Sequence, residues 1–143
     1  MTRGIRILFT RYTMTSARLS IIPEFLEKIS LLGYDNIFSV NKAEVVNIKN
    51  QSDILFRGIK TSAGNQTASL KSLTGVSTWV LDEAEELIDE NIFDVIDLSI
   101  REKEIQNRII LVLNPVTKDN WIYERFFEGK GIEAGFNGVK DNV

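Results

Sequence analysis

The chain has 143 residues, of which 43% are hydrophobic and 26% charged, and its net charge is −3. This length and apolar content predict one domain with its own core rather than a disordered chain. Cysteine and histidine are both absent, which excludes disulfides, zinc sites built on those residues, and catalysis that requires an imidazole or a thiolate. Any catalysis must therefore use carboxylates, lysine, arginine, hydroxyls or backbone groups.

From this sequence we expect neither a signal peptide nor a membrane span. The longest apolar run, Ile109 to Leu113, is about five residues, whereas a span needs about twenty. Arg11 interrupts the first apolar run too early for a secretion signal. We therefore expect a cytoplasmic protein with no membrane partner.

Charge is distributed unevenly along the chain. Residues 1–71 carry 10 Lys/Arg and 5 Asp/Glu, whereas residues 72–143 carry 7 and 15. A basic half is one signature of nucleic-acid binding, and the alternative is attraction between the two halves of the chain. Because the basic residues are isolated from one another, attraction within the chain is the favoured interpretation.

Hydrophobic periodicity predicts strands and helices in an α/β order. Ile5–Thr10 is typical of a short buried strand, and the helix after it can be capped by Thr13, Thr15 or Ser16 and kinked or split by Pro23. The other predicted elements are the end of that helix at Gly33, a hairpin of Val45–Lys49 and Asp53–Arg57, a strand at Ser77–Leu81, a helix from about Glu86 to Ile100, a strand at Arg108–Asn114, a short helix opened by Asp119, and a Gly-rich tail over 129–143.

Two of the predicted strands are apolar throughout their centres. Trp79-Val80-Leu81 and Ile109–Leu113 contain no polar residue. Strands that are buried on both faces have this pattern, and they occur in parallel sheets covered by helices. The sequence therefore predicts an α/β fold with a parallel sheet flanked by helices and one β-hairpin.

Two adjacent carboxylates, Asp82 and Glu83, follow the strand that ends at Leu81. The carboxyl ends of parallel strands are where ligands bind in open α/β sheets. An apolar strand that ends in two acids is the Walker B arrangement, in which the first acid holds Mg²⁺ and the second polarises the attacking water. The alternative is that these acids interact favourably with the start of a helix.

An amide follows the next apolar strand, in Leu113-Asn114-Pro115. Asn114 is positioned to hydrogen-bond an attacking water or a phosphate oxygen at the same sheet edge as Asp82. The alternative is an Asn-Pro turn that only ends the strand.

Taken in order, these segments resemble the ATPase half of phage terminase large subunits, the motors that package viral DNA. The resemblance implies a P-loop NTPase fold, ATP and Mg²⁺ as cofactors, and double-stranded viral DNA, the portal protein and the terminase small subunit as partners of a phage or prophage protein in the host cytoplasm. It is also compatible with a homo-oligomer. The resemblance further implies that Asp82 and Glu83 are the Walker B pair and that Asn114 belongs to the coupling motif. The segments that carry it are Arg11, Asn50–Gly58, Lys71–Gly75, Trp79–Glu86, Leu113-Asn114-Pro115, Trp121, Tyr123 and Phe126-Phe127.

Two parts of the family pattern are not found in these residues. No Gly-x-x-x-x-Gly-Lys-Ser/Thr loop precedes Ile5, and no carboxylate-rich nuclease domain follows Gly129. We therefore expect an internal fragment, with residues 1–128 forming part of the ATPase domain, and weak or absent ATP hydrolysis by this segment alone. In the resembled ATPases, the strand before the phosphate loop lies beside the strand that ends at the coupling motif, so Arg108–Asn114 is expected at a sheet edge.

Two basic residues are candidate nucleotide ligands. Arg11 ends the first strand on the expected ligand side. Lys71 lies twelve residues before Glu83, where related motors often place an arginine that reaches a neighbouring subunit's ATP. For Lys71, an ordinary surface charge is the alternative.

Two other functions remain open from the sequence. One is a catalytically inert α/β module that binds a partner through the acidic segment Asp82–Asp97, which holds eight acids and no base. The other is a fragment of a different P-loop ATPase, such as a helicase.

Overall fold

The structure, a computed structural model, describes residues 4–61, 64–65, 70–115, 117–133 and 135–139. Within these residues one mixed sheet runs through the molecule. Its strands are β1 (Arg6–Thr13), β2 (Phe38–Asn41), β3 (Glu44–Asn47), β4 (Asp53–Thr61), β5 (Gly64–Asn65), β6 (Val76–Asp82) and β7 (Arg108–Val112).

The central strands of the sheet are parallel. The spatial order is β2-β3-β4-β1-β6-β7, and the short β5 pairs with the end of β4. β1 pairs in parallel with β4 and β6, and β6 pairs in parallel with β7, whereas β2, β3 and β4 form an antiparallel meander. The predicted hairpin is therefore present as β3 and β4, and its second strand is also a member of the parallel sheet.

Helices cover both faces of this sheet. The described helices are α1 (Met14–Ser16), α2 (Ile22–Leu31), α3 (Glu90–Asp97) and α4 (Trp121–Phe126). A π-helical stretch, Ala17–Ile21, joins α1 to α2, and 3₁₀ turns lie at Ala84–Glu86 and Glu128–Lys130. No helix in the described part of the chain is long and apolar enough to cross a bilayer.

The helix after β1 begins and ends as its sequence predicts. The Thr13 hydroxyl accepts a hydrogen bond from the Ser16 amide, and Gly33 adopts a φ of 70° just beyond the helix. Pro23 lies in the first turn of α2, where its missing amide hydrogen is tolerated. Leu19 was expected on the apolar side but is 78% exposed, because it lies in the π-helical stretch, whose i→i+5 bonding changes the angle between residues.

Two hydrophobic clusters lie on opposite faces of the sheet. The larger one contacts α3 and α4 and centres on Trp79, which is fully buried and donates its indole hydrogen to Thr10 Oγ1 at 2.8 Å. The smaller one lies under α2 and centres on Phe56. Trp79 pairs with Ile109 across β6 and β7, as expected for two apolar parallel strands.

The segment after β6 differs from its prediction. The expected helix from about Glu86 to Ile100 is replaced by the 3₁₀ turn, an extended Leu87 and the shorter α3. Asp89 starts α3 because its carboxylate accepts a hydrogen bond from the Asn91 amide at 3.0 Å. The last strand likewise ends at Val112 rather than Asn114, and the last α-helix is capped by Asn120 rather than Asp119.

β7 lies at one edge of the described sheet, as expected. Its described strand partner is β6 alone. Alternate residues of β7 point to opposite faces, so Ile109 and Leu111 pack on the larger cluster whereas Ile110 and Val112 are 44% and 48% exposed. The α2 face of the sheet is therefore less covered at β7 than at β1 and β4.

Candidate functional site

The two predicted acids lie together at the carboxyl end of β6. Asp82 is the last residue of the strand, and its side chain is 13% exposed. Glu83 follows with φ 53° and ψ 49°, the left-handed region that non-glycine residues seldom occupy, and its side chain is 35% exposed. This backbone turn starts the 3₁₀ turn that follows the two acids.

The Arg11 guanidinium bridges both acids. Its Nε donates to Asp82 Oδ2 at 2.7 Å, and its Nη2 lies 3.0 Å from Glu83 Oε1. Its Nη1 donates to the hydroxyl of Ser20 at 2.9 Å. The Arg11 side chain is 13% exposed, so these interactions are partly shielded from solvent.

Strand register explains why Arg11 reaches the acids. β1 and β6 are parallel neighbours in which Thr10 pairs with Leu81, so Arg11 and Asp82 follow at the same height. Both Thr10 and Leu81 face the larger cluster or its edge, and the next residue on each strand points to the α2 face. The ion pair therefore lies on the α2 face of the sheet, where the π-helical stretch supplies Ser20.

A further carboxyl group behind this pair has a shifted pKa. Partial burial raises the pKa of Glu86, the negative charge of Glu83 adds to the rise, and the charge of Arg11 opposes it. The acids after β6 thus repel one another, and Arg11 offsets part of that repulsion.

Asn114 contacts an acid of the segment that follows β6. Its Nδ2 donates to Glu85 Oε1 at 2.6 Å, whereas Glu85 Oε2 is buried and has no hydrogen-bond partner among the described residues. The Trp121 indole N–H likewise donates a hydrogen bond to the Leu87 carbonyl at 2.6 Å. These two hydrogen bonds connect the segment after β7 to the segment after β6.

No distinct signal in the sequence marks Glu85. It is one of several acids after β6, and only the orientation of the 3₁₀ turn selects it as the partner of Asn114. The sequence feature that could have indicated this contact is the order of the strands, because it brings the carboxyl ends of β6 and β7 side by side.

Lys71 lies apart from the acid pair. It is exposed and precedes β6, which begins at Val76, whereas Asp82 ends that strand. No ion pair among the described residues joins Lys71 to Asp82 or Glu83.

The acids of α3 are partly neutralised within the chain. Arg125 Nη1 lies 2.9 Å from Glu90 Oε1 and 2.7 Å from Asp94 Oδ1. The same guanidinium packs over the rings of Phe93 and Phe126, 5.0 and 5.5 Å from their centroids. All three charged residues lie in the acidic half, residues 72–143, and their pairing reduces the charge that α3 presents to a partner. Attraction between the two halves is seen instead where Arg11 pairs with Asp82 and Glu83.

Solved structures share this fold. The large terminase from a thermophilic bacteriophage matches with a TM-score of 0.69 and 12% identity, over 88% of this chain and 30% of that one. The ATPase domain of the Thermus phage P74-26 large terminase matches with a TM-score of 0.65 and 16% identity, over 98% of this chain and 57% of that one. No curated protein sequence matches the chain directly.

These similarities define the class: the α/β fold is that of the ATPase domains of viral large terminases. The sequence profile of the phage terminase large subunit matches residues 2–141, nearly the whole chain. The chain belongs to the phage terminase large subunit family. It spans about a third of the length of the first of the two terminases compared above.

Proposed function

We propose that this chain is a segment of an ATP-driven motor that packages double-stranded viral DNA into proheads, acting with a portal protein and a terminase small subunit. Family membership supports this function, and the observation that carries it is the placement of Asp82 and Glu83 at the carboxyl end of a central parallel strand. In this proposal residues 1–128 belong to the ATPase domain, and residues 129–143 form a Gly-rich tail after it.

The nucleotide is proposed from a related protein. The thermophilic bacteriophage large terminase of the first comparison has also been solved in complex with ADP and with ATP-γ-S. That protein is 10 to 11% identical to this chain in those structures, so the match supports a shared fold and makes ATP the first ligand to test.

The donor set fits a magnesium ion that is held mainly by nucleotide phosphates. Mg²⁺ commonly binds one or two carboxylates and completes its shell with water and phosphate oxygens. Asp82 offers such a carboxylate, and the described residues contain no cluster of three or more acids that would hold a metal ion by themselves. When bound, the ion would neutralise charge that develops on the phosphates.

Each proposed site residue has one chemical task. Asp82 would hold the ion, and Glu83 would accept a proton from the attacking water. Asn114 would report the state of the nucleotide to the segment after β6 through Glu85. Arg11 would contact phosphate. Lys71, which precedes β6 whereas the acids follow it, would act on the nucleotide of a neighbouring subunit.

The experiment requires a longer terminase polypeptide that contains these residues together with a phosphate-binding loop. Glu83→Gln should leave nucleotide binding nearly unchanged and reduce hydrolysis by about 10²-fold or more, because an amide keeps the shape but accepts no proton. Asp82→Asn should weaken nucleotide binding in the presence of Mg²⁺. Glu124→Gln, which removes an exposed acid from α4, is the matched control and should change neither quantity. Normal hydrolysis by Glu83→Gln would exclude Glu83 as the general base.

A further inference from the structure

The environment of Arg11 differs from that of an ordinary surface arginine. Each nitrogen of its guanidinium has its own partner: Nε contacts Asp82, Nη2 contacts Glu83 and Nη1 contacts Ser20. The guanidinium therefore sits between the two acids and the helix that follows β1.

Among the described residues, Arg11 is the ion-pair partner of both Asp82 and Glu83. Asp82 and Glu83 are adjacent in sequence and are followed by Glu85 and Glu86, so this turn carries four negative charges within five residues. Acids this close repel one another unless a cation lies among them. One guanidinium neutralises only part of that charge.

The π-helical stretch provides the third contact. Ser20 lies within Ala17–Ile21, and its hydroxyl donates to the Ser16 carbonyl at 2.9 Å, which leaves an oxygen lone pair for Arg11 Nη1. π-helical turns carry a cost in regular packing and occur often at functional sites. Here the turn places a hydroxyl beside the guanidinium on the same face of the sheet.

We propose that Arg11 is an exchangeable counter-ion of the acid pair, which yields Asp82 to a divalent cation, and that Ser20 is the positioning residue that retains the guanidinium during the exchange. This proposal rests on the proposed function, because it assumes that Asp82 receives a cation. It assigns Ser20 and the π-helical turn a role in how readily the site is loaded. It also explains why a basic residue occupies a position that a cation would need.

Manganese binding to the 143-residue chain tests the exchange without any measurement of hydrolysis. Mn²⁺ accepts the same oxygen ligands as Mg²⁺ and is detected by water-proton relaxation. Arg11→Gln should bind Mn²⁺ about tenfold more tightly than the parent chain. That factor lies between the values that the interaction energy of two charges near 4 Å gives in water and at a protein surface. Arg57→Gln removes the same charge from a side chain whose hydrogen bonds, among the described residues, go to the backbone carbonyls of Ala43 and Phe56, and it should leave Mn²⁺ affinity unchanged.

The possible results separate the two proposals. Mn²⁺ that binds at the same affinity with and without Arg11, and is lost in Asp82→Asn, would overturn the counter-ion proposal and keep Asp82 as the cation ligand. Mn²⁺ binding that Asp82→Asn does not change would overturn the cation role of Asp82 and the counter-ion proposal together. Undetectable binding by a folded Arg11→Gln chain would also overturn the exchange.

A second measurement uses the parent sequence and does not depend on the folding of Arg11→Gln. The Nε–H resonance of Arg11 should show slow solvent exchange in the absence of cation and should move toward the free-arginine position as Mg²⁺ is added. Ser20→Ala should speed the solvent exchange of this proton. Ser20→Thr, which keeps the hydroxyl, should restore the slow rate. A resonance that does not respond to saturating Mg²⁺, or to Ser20→Ala, would contradict the proposal.

Discussion

The ion pair between Arg6 and Asp53 is expected to stabilise the amino ends of β1 and β4, at the end of these strands opposite the acid pair. Arg6 Nε lies 3.0 Å from Asp53 Oδ1, and its Nη2 lies 2.6 Å from Oδ2. Its Nη1 also donates to the Thr74 carbonyl at 3.2 Å, so one side chain connects β1, β4 and the segment before β6. The hydrogen bonds to Asp53 raise the pKa of Arg6, in keeping with a favoured charged form. We predict that Arg6→Met destabilises the chain because it leaves the Asp53 carboxylate buried without its partner.

The size of this effect follows from the burial of the two side chains. The Asp53 side chain is 8% exposed and that of Arg6 is 37% exposed. Removal of one partner of a fully buried pair costs about 3–5 kcal/mol, whereas an exposed pair is worth about 0.2–1 kcal/mol. We expect an intermediate loss of about 2 kcal/mol for Arg6→Met. With a urea m-value of about 2 kcal/mol/M, the unfolding midpoint should fall by about 1 M.

A double variant separates the ion pair from simple loss of packing. Arg6→Met combined with Asp53→Leu removes both charges, so it should recover more than half of the midpoint lost by Arg6→Met alone. Urea unfolding followed by far-UV circular dichroism gives both midpoints. A decrease below about 0.3 M for Arg6→Met, or a double variant less stable than the single one, would show that the charge left on Asp53 is not the cause.

The described contacts support three other predictions. Because an edge strand with exposed apolar residues can pair with another chain, the 143-residue chain is expected to associate at high concentration through β7. Ile110→Lys should shift such a solution toward monomer in light scattering, because it places a charge on the exposed side of β7; unchanged association would exclude β7 as the contact. Glu86→Gln should raise the urea midpoint at pH 7 but not at pH 3. A carboxyl whose pKa is raised in the folded chain favours folding at a pH below its ordinary pKa, and that contribution is lost as the pH rises through the raised pKa. Equal shifts at both pH values would contradict this. Gly58→Ala should cost about 1–3 kcal/mol, since a Cβ there would overlap the Met14 backbone nitrogen; a neutral result in urea unfolding would mean that the backbone relaxes.

The strands that define the fold were predictable because burial on both faces leaves a strong signal. β6 and β7 each contain a continuous apolar run, and the structure places the two strands side by side in parallel. β2 was missed because its burial is slight: Phe38 is half-buried and the other residues of the strand are exposed. A strand that contributes little to a core has little apolar pattern to detect.

The helix after the acid pair was predicted too long for a related reason. Leu87 and Ile92 are both buried, so the spacing of apolar residues continues across the point where the chain leaves and re-enters a helical path. The signal that the periodicity concealed is Asp89, a favourable N-cap residue.

The position of the acid pair was predictable, but its partners were not. Asp82 lies where an acid at the end of a buried strand is expected. Its pairing with Arg11 depends on β1 being the neighbour of β6, and the pairing of Asn114 with Glu85 depends on the orientation of a single turn. Both are properties of tertiary structure, which local sequence patterns do not encode. The association variant illustrates the same point, because only the structure distinguishes the outward Ile110 from the inward Leu111.

The left-handed backbone at Glu83 has a consequence for how this chain would respond to selection. A side chain in that conformation costs roughly 1 kcal/mol relative to glycine, and asparagine also tolerates it. Glu83→Gly and Glu83→Asn are therefore expected among the substitutions recovered when a library of this chain is selected for thermal resistance alone. The selected variants would lose Glu83, the proposed general base, while their resistance to unfolding increased. Stability and chemistry compete at this single residue, and only selection for nucleotide turnover would keep the carboxylate.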